Sequence, residues 1–74
     1  MTTEQVRRAQ HTAPFKPFTI HLADGRTFSV QRPELMLISP GGRTVVLAVS
    51  DEAFEIIDLF LVTSLTTGNG STEG

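Results

Sequence analysis

Cysteine, tryptophan and tyrosine are absent from this sequence of 74 residues. Without cysteine the chain can form neither disulfides nor thiolate metal sites, and its composition fits a reducing compartment. The longest apolar run, residues 45–49, is far shorter than the roughly 20 residues of a membrane-spanning helix. Glu4 stands near the start and no apolar segment follows it, unlike a secretory signal. We therefore expect a cytoplasmic protein that does not bind a membrane.

Basic residues are missing from the C-terminal part of the chain. All six lie in residues 1–43, together with three acidic residues, whereas residues 44–74 carry five acidic residues and no base. The formal net charge of −2 argues against a non-specific nucleic-acid binder. The split has two interpretations: a folded domain with one basic and one acidic side, or a chance distribution.

The length allows one small domain, and a core of this size without disulfides often needs oligomer contacts. Thr2 and Gln5 fit a capping box that begins a helix, and Pro14 ends it. We predict a single domain at 1–65, with the helix at 3–12 and a β region at 18–65. Residues 66–74, TTGNGSTEG, are predicted to be a disordered tail.

A β-hairpin is predicted around Asp24-Gly25, because apolar residues alternate with polar ones on both sides of it: Phe18, Ile20, Leu22, Phe28 and Val30. A two-residue loop would place Ile20 opposite Ser29, an apolar residue against a polar one on the same face. A three-residue loop pairs Ile20 with Phe28 instead. We therefore predict a type I turn with a bulge, and Gly25 in the left-handed region.

The remaining residues predict a series of short strands. Pro33 interrupts the second strand, so the chain bends there or lies at a sheet edge. Gly41 and Gly42 belong to a dense turn signal at 39–43. Further strands are predicted at 35–38, 44–50, 53–57 and 62–65, with a 3₁₀ turn at 58–61.

One short helix followed by five or six strands predicts a mainly β, small α+β domain, built as a strongly bent antiparallel sheet or a small barrel. The order of elements over residues 3–65 resembles the Sm-like arrangement within SH3-like barrels. Residues 54–65, FEIIDLFLVTSL, stand where Sm-like proteins carry their second motif, with Asp58-Leu59 in place of its Gly or Lys-His signature. The resemblance implies an RNA-binding ring, and no site residue is carried over from it.

A closer resemblance covers most of the chain. The sequence resembles a group of short uncharacterised bacterial proteins in three segments: PFKPFTIHLADGRTFSVQRPE, SPGGRT and FEIIDLFLVTSL. This resemblance implies no activity.

Catalytic and metal-binding residue sets are missing from the sequence. His11 and His21 are the only histidines, and nothing in the spacing brings carboxylates to both, as a metal site would require. No serine stands at a nucleophile elbow. The Gly41-Gly42 pair lacks the lysine of a phosphate-binding loop. We therefore predict that the protein is not an enzyme and binds neither a cofactor nor a metal.

Single-strand nucleic-acid binding requires a basic groove with stacking aromatic residues. Alternation assigns three of the five phenylalanines, Phe18, Phe28 and Phe54, to the core. The candidate RNA-binding residues are Arg26, Arg32, Arg43 and His21. The alternative is that these arginines are solvated surface residues.

Three segments, 35–38, 45–49 and 56–62, are apolar on both strand faces apart from Asp58. A small antiparallel sheet normally has one polar face, so these strands predict self-association as a dimer or ring. The candidate interface residues are Val46, Leu47, Ile57, Leu59 and Leu61. The alternative is a closed monomeric barrel whose second face is covered by the helix. The sequence thus predicts a non-catalytic, self-associating binding or adaptor module for an unidentified protein partner, with the Sm-like RNA-binding ring as the alternative.

Overall fold

A computed structural model describes residues 2–67 and 71–72 of the chain. These residues form one helix and seven strands: α1 (Thr3–His11), β1 (Phe18–Leu22), β2 (Thr27–Val30), β3 (Met36–Ile38), β4 (Thr44–Ala48), β5 (Phe54–Asp58), β6 (Val62–Thr67) and β7 (Ser71–Thr72). Two 3₁₀ turns, Pro33–Leu35 and Leu59–Leu61, lie between β2 and β3 and between β5 and β6.

The strands form two antiparallel sheets with the orders β2-β1-β6-β7 and β3-β4-β5. The predicted class, a mainly β, small α+β domain behind a short N-terminal helix, is confirmed. The ladders of the described residues do not close into a single barrel. The chain crosses between the sheets through the two 3₁₀ turns, and these interrupt the strand pairing that a closed barrel would need.

Helix α1 begins at the predicted capping box. The Thr2 hydroxyl accepts a hydrogen bond from the Gln5 backbone N–H (3.3 Å), and the Gln5 side chain accepts one from the Thr2 N–H (2.9 Å). The helix ends at His11, one residue before the predicted end, because Thr12 is already extended. Val6 is buried in the core and attaches the helix to the sheets.

The first hairpin has the predicted three-residue loop. Ile20 pairs with Phe28 and Phe18 with Val30. The loop is closed by a hydrogen bond from the Leu22 N–H to the Arg26 carbonyl (2.9 Å). Gly25 has φ 93°, a conformation that glycine adopts without steric cost.

The turn between β3 and β4 contacts the start of the helix. Gly42 has φ 75°, and a Cβ atom at this position would lie 2.7 Å from the Thr3 hydroxyl oxygen. That hydroxyl donates a hydrogen bond to the Gly42 carbonyl. Gly41 has open space around it. Only glycine therefore fits at position 42. Elsewhere in the chain, Pro33 is accommodated as the first residue of its 3₁₀ turn.

The core lies between the sheets and, among the described residues, contains twelve buried apolar side chains: Val6, Phe18, Ile20, Leu22, Val30, Met36, Val45, Leu47, Ile57, Leu59, Val62 and Leu65. Phe15 and Phe28 pack against it. The prediction that Phe54 belongs to the core is wrong, because this side chain is 63% exposed. Ile57 faces the core, and Phe54, an odd number of residues away on the same strand, faces outward.

The C-terminal strand continues beyond its predicted end. β6 extends to Thr67, two residues past the predicted boundary at 65, and Ser71–Thr72 pair with it as β7. The other residues of the predicted tail, 68–70 and 73–74, lie outside the described part of the chain.

Candidate interaction surface

An apolar row crosses the outer face of the β3-β4-β5 sheet. Leu37, Val46 and Ile56 stand directly opposite one another on the three strands. Leu37 is 65% exposed and Ile56 is 63% exposed, and Val46 between them is half-buried. Three aliphatic side chains in one cross-strand row at the surface form a continuous apolar strip.

A second apolar pair widens this strip on one side. Phe54 stands opposite Ala48, two residues from Ile56 and therefore on the same face of β5. We call the outward-facing residues Leu37, Val46, Ala48, Phe54 and Ile56 the outer strip.

The other side of the outer strip is charged. Asp58 pairs with Thr44 at the end of β5, and the Arg43 guanidinium lies 3.7 Å from the Asp58 carboxylate. The same guanidinium lies over the exposed Phe60 ring, 4.5 Å from its centroid. The Asp58 carboxylate also accepts a hydrogen bond from the Phe60 N–H (2.9 Å). The Asp58 carboxylate thus both caps the 3₁₀ turn at Leu59–Leu61 and pairs with Arg43.

The predicted interface residues are divided between the core and the surface. Leu47, Ile57 and Leu59 are buried in the core, so the prediction that they form a contact surface is wrong for the folded chain. Val46 and Leu61 are accessible. The division follows from strand parity, because Val45 and Leu47 face the other sheet and Val46 between them faces outward.

The arginines proposed for RNA binding are each paired with a carboxylate. Arg32 lies 3.5 Å from Glu34, and Arg43 is bound to Asp58 as described. Arg26 lies 2.8 Å from Asp24. The Arg26 backbone N–H donates to the Asp24 carboxylate, and together with the Arg26 side chain it holds the pKa of Asp24 below its usual value.

These arginines do not converge on one groove. Arg26 also reaches Glu55 at 3.7 Å. Glu55 and Asp58 are three residues apart on β5 and so lie on opposite faces of the strand. Arg26 and Arg43 therefore approach the sheet from different sides.

His21 belongs to the other sheet. Its Nε2 atom lies 2.6 Å from the Thr66 hydroxyl oxygen on the neighbouring strand β6, a partly buried hydrogen bond. Among the contacts of the described residues, none joins His21 to Arg26, Arg32 or Arg43.

The described residues do not form a cluster of metal-ligating side chains. No group of three or more His, Cys, Asp or Glu side chains within residues 2–67 and 71–72 is arranged to hold a metal ion. Within the same residues no buried side-chain nitrogen or oxygen lacks a hydrogen-bond partner. No helix in this part of the chain is long and apolar enough to cross a bilayer.

Comparison with protein-family models, with curated proteins and with solved structures gives no match. The resemblances found in the sequence therefore stay predictions.

Sequence reasoning missed Leu37, Phe54 and Ile56 as surface residues. Leu37 lies in a segment that is apolar at successive positions, so no alternation marks its face. In β5 the alternation Phe54-Glu55-Ile56 indicates the wrong face, because Ile57 is the residue that faces the core. The available signal was register: the turn at 39–43 and the bend at 51–52 determine which residues of β3 and β5 stand opposite Val46.

Proposed function

We propose that the chain is a small, non-catalytic binding module that self-associates through the β3-β4-β5 sheet. The observation that carries this proposal is the outer strip, in which Leu37, Phe54 and Ile56 are each more than 60% exposed. A soluble domain keeps large apolar side chains clustered at its surface chiefly where another surface covers them.

The size of the domain is compatible with such a contact. A specific interface buries about 800 Å² on each partner, which is roughly a sixth of the 4857 Å² surface of the chain. Full burial of one large apolar side chain contributes about 1.5–3 kcal/mol. Each side chain of the outer strip that the contact covers therefore offsets part of the cost of association.

The alternative, an Sm-like RNA-binding ring, receives less support from the side chains. Phosphate binding needs arginines that are free to replace counterions. Arg26, Arg32 and Arg43 instead have carboxylate partners within the chain. The Arg43 guanidinium lies over one face of the exposed Phe60 ring, so a base could stack only on the other face.

Size-exclusion chromatography of the untagged protein at low salt tests the proposal, with light scattering, refractive index and absorbance at 260 nm. The chain has no tryptophan or tyrosine, so bound nucleic acid would be readily seen. We expect a mass that is a multiple of 8.1 kDa with little absorbance. A mass of one chain would overturn the proposal. An oligomer with strong absorbance at 260 nm and salt-sensitive binding would favour the RNA-binding ring.

A further inference from the structure

We infer that two copies of the chain pair through the outer edge of β5, antiparallel, about a two-fold axis at Ile56. This inference rests on the proposed function, for which it names the contact. It follows from three observations. Backbone groups of β5 point away from β4, hydrogen bonds occupy groups at the opposite edge of the sheet, and the register determines which charges stand opposite each other.

Hydrogen bonds at the two ends of the β4-β5 ladder establish which backbone groups are used within the chain. The Leu59 N–H donates to the Arg43 carbonyl (2.7 Å), and the Val49 N–H donates to the Ala53 carbonyl (3.0 Å). Hydrogen-bonded and non-hydrogen-bonded pairs alternate along an antiparallel ladder. The odd-numbered residues of β5 therefore bond to β4, and the even-numbered residues point their N–H and C=O groups away from it.

The groups that point away belong to Phe54, Ile56 and Asp58. In the described part of the chain no strand pairs with this second edge of β5. The side chains of Phe54 and Ile56 lie on the exposed outer strip. The strand contains neither proline nor lysine, residues that commonly prevent pairing at an edge. An open edge of this kind is a template for another strand.

The opposite edge of the same sheet, formed by β3, is closed at Met36. The Gln10 side chain of helix α1 donates hydrogen bonds to the Met36 carbonyl (2.7 Å) and the Pro33 carbonyl (3.0 Å). The Met36 N–H donates to the Pro33 carbonyl. Among the described strands, the edge of β2 in the other sheet is also unpaired, but it carries the exposed polar residues Thr27 and Ser29, which would not continue the apolar row. Pairing of β5 with its own counterpart gives a closed two-fold contact.

The register centred on Ile56 uses the whole of β5. Ile56 would stand opposite its counterpart, and Phe54 opposite Asp58 of the second copy, so all three outward-pointing residues form hydrogen-bonded pairs. The row Leu37, Val46 and Ile56 would continue into the same row of the second copy and form one apolar row across six strands.

Charge excludes two of the alternative registers. A shift of two residues in one direction would place Glu55 opposite its counterpart. A shift of four in the other direction would place Asp58 opposite its counterpart. Like charges directly opposite are destabilising. With Ile56 at the centre, Glu55 faces Ile57 and Asp58 faces Phe54, and no like charges are directly opposed.

A single introduced cysteine tests the pairing, because the natural sequence contains none. Hydrogen-bonded antiparallel pairs have Cα atoms about 5.5 Å apart, within the range that a disulfide spans. We expect Ile56→Cys to form a disulfide-linked dimer under mild oxidation. Phe54→Cys is the matched control, since its position is equally exposed but would lie about 13 Å along the strand from its counterpart.

A second measurement tests the register independently of position 56. A mixture of Phe54→Cys and Asp58→Cys chains should link, and Phe54→Cys alone should not. Circular dichroism of each variant, compared with the unmodified chain, verifies the fold. If the protein self-associates but neither Ile56→Cys nor the mixture links, the edge pairing is overturned and the proposed function stands. If the unmodified chain has the mass of one chain, both are overturned.

Discussion

Phe18→Ala will leave the domain largely unfolded at 25 °C, whereas Phe54→Ala will leave its stability nearly unchanged. Phe18 is 2% exposed and Phe54 is 63% exposed. Truncation of a buried phenylalanine to alanine costs about 3–5 kcal/mol, which is comparable to the whole stability that a core of this size supplies. Urea denaturation followed by circular dichroism measures both variants, since the chain lacks tryptophan and tyrosine.

The comparison separates the two phenylalanines that alternation alone assigns to one core. Both substitutions remove the same side chain, so the difference between them reports burial and not composition. Equal losses of stability in the two variants would contradict the placement of Phe54 on the outer face. The Phe54→Ala variant should be measured at low concentration, where self-association contributes least to its apparent stability.

Ile56→Glu will weaken self-association by about 100-fold or more and leave the chain folded. The side chain is mostly exposed in the single chain, so a carboxylate can be solvated there. In the pair, two carboxylates would face each other and the contact between two isoleucines, each partly covered by the other, would be lost, a change of about 3 kcal/mol. Sedimentation or light scattering over a dilution series gives the dissociation constants.

Thr27→Glu is the control for Ile56→Glu. Thr27 is an exposed strand residue of the other sheet, so this substitution adds the same charge away from the proposed contact. We expect its dissociation constant to stay within a few-fold of that of the unmodified chain. An unchanged dissociation constant for Ile56→Glu, or an equal loss in both variants, would argue against the β3-β4-β5 sheet as the contact.

The parts of the fold that sequence predicts correctly are those governed by local rules. The capping box at Thr2 and Gln5 forms as expected because both partners lie within one helical turn. The loop at 23–25 follows from parity, since only one loop length places Ile20 opposite Phe28. Pro33 and Gly25 act on their own backbone and need no distant partner, whereas the contact of Gly42 with Thr3 is made only in the fold.

The parts that sequence does not predict depend on pairing partners. In β4 every residue from 45 to 48 is apolar, so the pattern does not indicate which face is buried. The neighbouring sheet decides, and it covers Val45 and Leu47 but leaves Val46 outside. Phe54 is misplaced for a related reason, because the alternation Phe54-Glu55-Ile56 does not show that the neighbouring sheet covers Ile57 instead. Two ion pairs, Arg26–Glu55 and Arg43–Asp58, are not predicted because their partners are distant in sequence and become neighbours only through the fold.

Backbone amide hydrogen exchange of the unmodified protein, compared between dilute and concentrated solutions, tests the central claim most directly. Glu55 and Ile57 bond to β4 and should be protected at both concentrations. The amides of Phe54, Ile56 and Asp58 point away from β4 and should exchange rapidly in the dilute sample but slowly in the concentrated one. Equal exchange of these three amides at both concentrations, in a sample whose mass is that of one chain, would contradict self-association through this sheet.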